Sequence, residues 1–392
     1  MTKKTSENAK ELPDGWEWKK LGEVIRIKSG NFLPSKNFIE DGKYPVFGGN
    51  GENGRYDSFN LEGRNIVIGR VGALCGNVRF IDFPIWLTDN AFSISHFLCE
   101  VDLKFFAKLL FHINLNSYAN QSAQPVISFK QIEEIQVPLP PLKEQERIVQ
   151  KLDTAFQSLD EAITLQKENI AYTQELKKAV LVEQISNLSC EMKKLGEVVI
   201  NCQAGLVRTV SEVSDDKNGY PYIKMNNLFG LGKIAFDKVG FINADSSELN
   251  KYRLEPNDIL FNVRNSYELV GKSGLFDKND NIYIYNHMLL RLRLNPRDTN
   301  AKFLVYYFNS SEFQPILNSI KKGSTSIVAI YQGDLMKLSV PLPSLPEQEK
   351  IVVYLETSFA KSDTLIVEQQ ERLVQLTELK KSILQEAFEG KL

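Results

Sequence analysis

Two segments of this chain, residues 143–187 and 347–389, contain neither proline nor glycine, and each follows a cluster of prolines. The clusters are copies of one motif. Pro138-Leu139-Pro140-Pro141-Leu142-Lys143-Glu144-Gln145-Glu146-Arg147-Ile148-Val149 recurs 203 residues later as Pro341-Leu342-Pro343-Ser344-Leu345-Pro346-Glu347-Gln348-Glu349-Lys350-Ile351-Val352. A second marker, Lys19-Lys20-Leu21-Gly22-Glu23-Val24, returns as Lys193-Lys194-Leu195-Gly196-Glu197-Val198 at an offset of 174, so the second copy holds 29 extra residues between its markers. A period this long is a domain duplication, not a solenoid.

The two proline-free segments read as helices. The prolines close the preceding strand and set the helix starts. Glu144 and Glu146, and Glu347 and Glu349, place negative charge in the first turn, where the helix dipole favours it, and Gly390 ends the second helix. Apolar positions follow a 3-4 spacing: Val149, Leu152, Phe156, Leu159 and Ile163, then Ile170, on the first; Val352, Leu355, Phe359, Ile366, Leu373 and Leu376 on the second. Gln166 and Gln369 interrupt both stripes, as polar residues that set register in a coiled coil do. The spacing predicts antiparallel pairing of the two helices. The plainer alternative is that each stripe packs on its own globular domain. At 1.5 Å per residue such helices would be roughly 66 Å long and would act as a rigid spacer.

The remaining sequence has a different texture. Short β-type runs such as Asn65-Ile66-Val67-Ile68, Asn77-Val78-Arg79-Phe80, Asp258-Ile259-Leu260-Phe261-Asn262-Val263 and Asn281-Ile282-Tyr283-Ile284-Tyr285 stand between glycine and asparagine turns. A short amphipathic helix follows each set, near 103–113 and 301–309. The expected fold is α+β: two globular domains, each a curved β-sheet with short helices, separated by two long helices pairing as an antiparallel coiled coil in a pseudo-two-fold repeat. The expected boundaries are an extension at 1–15, domains at 16–142 and 191–345, and helices at 143–190 and 346–392. Three hundred and ninety-two residues suit more than one core.

Charge refines the picture. The chain carries 47 Lys+Arg and 49 Asp+Glu, a net −2 that argues against a tail-driven polyanion binder. By segment, the two helical regions sum to −5 and the globular regions to +3. No run approaches the ~18 apolar residues of a membrane span. Residues 1–15 lack an apolar signal-peptide region, so a cytoplasmic chain that meets no membrane is expected. Cys75, Cys99, Cys190 and Cys202 show no C-x-x-C, which favours buried free thiols. His96, His112 and His287 are too dispersed for a metal site.

Catalytic motifs fail one by one. Gly49-Asn50-Gly51-Glu52-Asn53-Gly54 matches G-x-G-x-x-G, but the turn-like Arg55-Tyr56-Asp57-Ser58-Phe59-Asn60 follows where a dinucleotide fold needs a helix. It reads instead as a glycine-rich loop able to approach a ligand. Gly271-Lys272-Ser273 lacks the upstream glycine of a phosphate loop, where Ser266 stands. No G-x-S-x-G elbow, Asn/Asp-Pro-Pro-Tyr/Phe tetrad of amino-methyltransferases or carboxylate-lysine cluster of a nuclease is found. No catalytic residue and no metal site is expected.

What recurs is Arg, Lys, Asn, Gln and Tyr on loops. The first half offers Asn50, Asn53, Arg55, Tyr56, Arg64, Arg70, Asn77, Arg79 and Asn90. The second offers Tyr222, Lys224, Asn226, Asn227, Arg264, Asn265, Tyr267, Lys272, Asn286, His287 and Arg291. Two polar loops precede the proline motifs at equivalent places: Asn120-Gln121-Ser122-Ala123-Gln124, and Lys321-Lys322-Gly323-Ser324-Thr325-Ser326. Arg and Asn/Gln pair with base edges, while Lys, hydroxyls and backbone amides serve phosphates. Singly, such residues more often cap turns or stay solvated. Their concentration in both halves of a duplicated, spacer-linked chain shifts the balance toward contacts with the bases and phosphates of double-stranded DNA.

The proline motif at 138–149 with its echo at 341–352, and the ending Ala387-Phe388-Glu389-Gly390-Lys391-Leu392, resemble the specificity subunits of type I restriction–modification systems. Tyr44-Pro45-Val46-Phe47-Gly48-Gly49-Asn50-Gly51 and Ile68-Gly69-Arg70-Val71-Gly72 resemble one target recognition domain. Pro221-Tyr222-Ile223-Lys224-Met225 and Asn257-Asp258-Ile259-Leu260-Phe261 resemble another. The resemblance implies a non-catalytic subunit whose domains each read half of a bipartite DNA target. Its helices would set the spacing and dock two modification (methyltransferase) subunits. S-adenosylmethionine, ATP and Mg²⁺ would act through those partners and the restriction subunits, with no cofactor in this chain. The end of the first helical segment, Ile185-Ser186-Asn187-Leu188-Ser189-Cys190, lacks the Phe-x-Gly-x-Leu of the second. The two domains share little sequence, which implies an asymmetric target. The competing readings are a coiled-coil protein-interaction scaffold without sequence-specific DNA binding, and a self-sufficient nuclease or methyltransferase.

Overall fold

The computed structural model describes residues 12–120, 124–323 and 327–392. The chain forms two compact units. One comprises the chain up to Lys167 together with Glu371–Leu392; the other is Glu168–Gln370.

In the first half, β1 (Glu17–Lys20) leads through one helical turn, α1 (Leu21–Val24), into β2 (Ile25–Ser29). There follow β3 (Tyr44–Gly48), β4 (Gly51–Tyr56), β5 (Asn65–Gly69), β6 (Val78–Ile81), β7 (Trp86–Leu87) and β8 (Ala91–Phe97). Then come α2 (Leu103–Ile113), α3 (Phe129–Ile132), β9 (Gln136–Leu139) and the 45-residue α4 (Leu142–Ser186). The β content is divided between a four-stranded sheet, β2-β8-β5-β6, and a three-stranded one, β4-β3-β7, while β9 returns to pair with β1. Helix α2 is capped by the Asp102 carboxylate on the Phe105 amide and buries Phe105, Phe106, Leu109 and Leu110.

The second half repeats this order. It contains β10 (Met192–Lys194), α5 (Leu195–Val198), β11 (Val199–Ala204), β12 (Tyr220–Ile223), the hairpin β13 (Leu228–Phe229) and β14 (Lys233–Ile234), β15 (Gly240–Ile242) and α6 (Ser246–Tyr252). Next are β16 (Ile259–Asn262), β17 (Arg264–Asn265), β18 (Ser273–Leu275), β19 (Ile284–Tyr285) and β20 (Leu289–Leu294). It closes with α7 (Ala301–Phe308), α8 (Phe313–Asn318), β21 (Lys322–Gly323), β22 (Val328–Ala329), α9 (Gln332–Leu335), β23 (Ser339–Pro341) and the 44-residue α10 (Leu345–Phe388). The sheets β11-β20-β16-β18 and β15-β12-β19 reproduce the first-half orders strand for strand, and β10 pairs with β23 as β1 does with β9. Even the parallel pairs correspond, β3 with β7 and β12 with β19. Most of the extra length lies between β12 and β16, in the β13–β14 hairpin and α6.

Local backbone demands shift three sequence expectations. The glycine-rich segment at 49–54 is not a loop throughout: residues 51–56 are β4, paired with β3 through a tight turn at Gly49-Asn50. The run at 281–285 is strand only at its end, because Asn281 sits at φ +53, a left-handed conformation that no strand accommodates. Helices α4 and α10 begin at Leu142 and Leu345, and Pro346 stands inside the first turn of α10, where a missing N–H breaks no helical hydrogen bond. Gly390, at φ +71, ends α10. The Lys391 amide donates to the Glu386 carbonyl and the Gly390 amide to that of Ala387.

Both expectations for the apolar stripes hold, in different parts of each helix. In the first unit, Ile148, Val149 and Leu152 of α4 enter the core of the globular domain together with Leu384, Ala387 and Phe388 of α10. Phe156 packs at its margin beneath the Lys380 ammonium, which also binds Asp160. In the second unit, Val352, Leu355 and Phe359 of α10 meet Leu181 and Ile185 of α4 in the other core. The start of one helix thus meets the end of the other, which is antiparallel packing. Leu159 is buried; Ile163, Ile366 and Leu373, further from either core, are half-buried. The second seam has a polar stretch at the interruption that Gln369 makes in the stripe. Thr173 exchanges a hydrogen bond with Gln369, and Lys177 is buried over the Phe359 ring.

The motif glutamines tie each long helix to its domain. Gln145 donates to the Pro140 carbonyl and accepts from the Asp102 amide at 2.8 Å, beside the cap of α2. Gln348 donates to the Pro343 and Asp298 carbonyls and accepts from the Asn300 amide, beside the cap of α7. Both are almost fully buried. Gln348→Leu strands these three backbone groups and should cost about 1–3 kcal/mol in chemical denaturation. Glu349→Ala next door, exposed, should stay within about 0.5 kcal/mol of wild type.

Asp363 accepts from Lys177 at 2.5 Å and Lys233 at 3.2 Å. Burial alone would push its carboxyl up, but the two ammonium groups outweigh burial and hold it below the usual carboxylate range. A depressed carboxyl adds stability above its unfolded value and loses it as pH falls through the folded one. Asp363→Asn should therefore flatten the fall of the thermal midpoint between about pH 5 and about pH 3. An unchanged slope would show that this contact contributes nothing.

Candidate nucleic-acid interface

In the first half, the ends of β3 and β5 meet the turn between β7 and β8. The Thr88 amide donates to Phe47 O (2.8 Å), Arg70 N to Asn90 O (2.9 Å), Ile127 N to Arg70 O (2.9 Å) and Gly69 N to Asn77 O (2.9 Å). The second half makes the same four bonds. Asn286 N donates to Ile223 O (2.8 Å), Val263 N to Met288 O (3.0 Å), Ile330 N to Val263 O (2.9 Å) and Asn262 N to Lys272 O (2.8 Å). These anchors make the loops of the two halves equivalent residue by residue, while the side chains they carry differ.

The first-half cluster is drawn together by glycine. A Cβ on Gly49 would lie 2.2 Å from the Val71 carbonyl and one on Gly69 2.3 Å from that of Gly49, so neither position accepts a side chain. Arg79 donates to the Asn50 carbonyl at 3.0 Å, and burial pushes its guanidinium below the usual value. Arg70 lies over the Phe92 ring. Asn50, Asn90, Arg70 and Arg79 are thus brought together, with Asn50 and Asn90 exposed. Asn77 is held nearby through its carbonyl, and Asn53 is exposed on β4. Three other candidates are engaged elsewhere. Arg55 binds the Gly42 and Lys43 carbonyls and Glu52, Tyr56 packs edge-on against Trp86, and Arg64 lies over Phe80.

In the second half, Asn226 and Arg264 are exposed and Lys224 is half-buried. Burial and then the nearby Arg264 charge both push the His287 imidazole below its usual value. Lys321 stacks 4.3 Å over Tyr267 and donates to its carbonyl, and burial lowers its ammonium. Lys322 pairs with Asp334. The Asn265 side chain accepts from the Ser266 amide. Lys272 instead lines a cleft of about 1270 Å³ with Lys177, Lys233 and Asp363. Four residues read as loop side chains are interior ones. Asn227 accepts from the Lys224 amide and donates to the Ala235 and Lys238 carbonyls. Asn286 donates to the Tyr222 hydroxyl, which donates to Leu206 O. Arg291 binds Arg253 O, Asn201 and Gln203. Tyr-, Asn- and Arg-rich runs look alike in sequence whether they face solvent or knit a loop from beneath. Gln121, Ser122, Ser324 and Thr325 lie outside the described residues.

Among the described residues, six buried side-chain polar atoms have no hydrogen-bond partner, three in each half: Arg70 Nε, Arg79 Nη1 and Thr88 Oγ1, then Asn262 Oδ1, His287 Nδ1 and Arg291 Nε. They lie on or beside the strands and turns just described, Asn262 and Arg291 on the buried side. Thr88 was not singled out from sequence; only its register with Asn286 reveals it. No group of three or more His, Cys, Asp or Glu among the described residues is placed to hold a metal. Among the described residues no helix is long and apolar enough to cross a membrane. Cys75 is buried, and the other three thiols are only half-buried.

One fold used twice, each copy presenting a polar loop cluster at the same strand ends and each built onto the same two long helices, defines a protein of duplicated domains. The sequence profile of the type I restriction modification DNA specificity domain matches residues 13–171 and again 187–385. The chain is 24% identical over 440 residues to the type I restriction enzyme EcoKI specificity subunit of Escherichia coli (strain K12), covering 98% of this chain and 91% of that protein. It is 25% identical over 450 residues to the StySPI specificity subunit of Salmonella potsdam, with the same coverage. A solved chain from a study of complex assembly and conformational transition in the type I R-M system superposes with a TM-score of 0.75 at 22% identity, over 97% of this chain and all of that one. The HsdS subunit from Thermoanaerobacter tengcongensis superposes at 0.54, also at 22% identity, over 98% of this chain and all of that one. The chain belongs to the type I restriction modification DNA specificity family: it is a specificity subunit with two DNA sequence-recognition domains. Relatives of this kind imply a subunit that is not itself catalytic.

Proposed function

We propose that the chain reads a bipartite, asymmetric DNA sequence, one half-site through each recognition domain. The domains would extend over 16–142 and 191–345. The helices at 143–190 and 346–392 would set the number of unread base pairs and dock two modification (methyltransferase) subunits. The observation that carries this reading is the duplication of one loop-anchoring scheme with different side chains on it. Equal scaffolds bring equal approach to the groove; unequal side chains bring unequal base preferences.

Chemistry would belong to the partners. The modification subunits would bind S-adenosylmethionine and methylate adenine, and restriction subunits would use ATP and Mg²⁺ for translocation and cleavage, all in the cytoplasm. A protein-binding scaffold with no DNA specificity is not favoured, because it leaves the paired loop clusters unexplained.

Two outcomes follow. Co-expression with a modification subunit should produce methyl-adenine in a two-part motif, read by methylome sequencing. Inserting whole turns into both helices should change the gap and leave the half-sites alone, since two-site readers are spaced by helical geometry. Altered half-sites with an unchanged gap would refute the spacer role. The second outcome concerns affinity. The globular regions carry only +3, so the isolated chain should bind DNA weakly at physiological salt, with much of the phosphate neutralisation coming from its partners. Nanomolar binding by the purified chain alone would contradict this.

A further inference from the structure

The backbone anchors fix which positions of the two domains correspond. Phe47 and Ile223 are equivalent, because each carbonyl receives the amide of the matching turn residue, Thr88 or Asn286. Three residues beyond each stands an asparagine: Asn50 in the first domain, Asn226 in the second. Other loop positions diverge. Asn90 corresponds to Met288, Arg70 to Val263, and Asp89 to His287.

The two asparagines reach the surface by different local routes. Asn50 lies in the tight turn between β3 and β4, with Gly51 at φ +116. Asn226 lies in a single 3₁₀ turn, residues 225–227, closed by the buried amide of Asn227. In each case the neighbours are committed to the scaffold. Gly49 and Gly51 are buried, and Met225 and Asn227 are half-buried and buried. The asparagines themselves are exposed, and neither amide makes a hydrogen bond among the described residues. Beneath Asn50, Arg79 fixes the backbone through the carbonyl and leaves the side chain available. The orphaned Arg79 Nη1 and Thr88 Oγ1 mark that loop, and His287 Nδ1 marks the turn anchored to Ile223.

A carboxamide carried on a fixed backbone offers one donor edge and one acceptor edge, the complement of adenine N7 and N6 in the major groove. Resting on the assignment of the two domains as DNA readers, we propose that Asn50 and Asn226 are matched base-reading residues, each taking the adenine edge of one A·T pair in its own half-site. The divergent residues around them then make the two half-sites different.

The test is the methylation motif of the chain co-expressed with its modification subunits. Asn50→Ala should relax one position of one half-site by about tenfold or more and leave the other half-site intact. Asn226→Ala should do the reverse. If either alanine variant abolishes methylation, the near-isosteric Asn50→Asp and Asn226→Asp decide. They keep the loop, lose the amide donors and should shift the preference at that one position away from adenine. A two-part wild-type motif that survives all four substitutions unchanged overturns this inference and leaves the domain assignment standing, as does a change in both half-sites from one substitution. A wild type with no two-part motif overturns the domain assignment, and this inference with it.

Discussion

Burial of each long helix in a recognition-domain core is the interaction on which the rest depends. Leu152 of α4 and Leu355 of α10 are completely enclosed, each by its own domain and by the far end of the other long helix. Neither helix is an appended linker. Removing its apolar residues would open the core that shapes the loops. The buried glutamines add direction to this apolar contact, because Gln145 and Gln348 bond the helix start to the cap of α2 and α7. Apolar burial is non-directional, while these hydrogen bonds tolerate little rotation.

The same economy governs the candidate interface. Four backbone hydrogen bonds recur in the two halves with lengths that agree within about 0.1 Å, and none depends on side-chain identity. A loop held through its backbone can exchange side chains without losing its course. This is the physical basis on which two domains of one architecture can differ in what they read. Electrostatics is local by comparison. Most of the basic groups that lie near acids are already paired, as Lys322 is with Asp334 and Arg293 with Asp258.

Legibility in the sequence varied with the range of the interaction involved. Helices α4 and α10 were plain, because proline and glycine exclusion and a 3-4 apolar spacing are local signals. The duplication was plain for the same reason, and so was the absence of any local catalytic motif. At the candidate interface the residue types were legible and their fates were not. Asn226 and Asn227 are neighbours of one chemical kind, yet one amide faces outward and the other closes three hydrogen bonds inside. Tyr222, Asn286 and Arg291 were drawn inward in the same way.

The sequence by itself determined the α+β class, the repeat, the two long helices and the family, since these depend on periodicity and on motifs along the chain. Only the tertiary structure decided which half of each helix serves which core, that residues 51–56 form a strand, and which polar residues remain available to a ligand. Those outcomes depend on strand pairing and hydrogen bonds between residues far apart in sequence. The bond from Thr88 to Phe47 and its counterpart from Asn286 to Ile223 exist only once the chain has closed on itself.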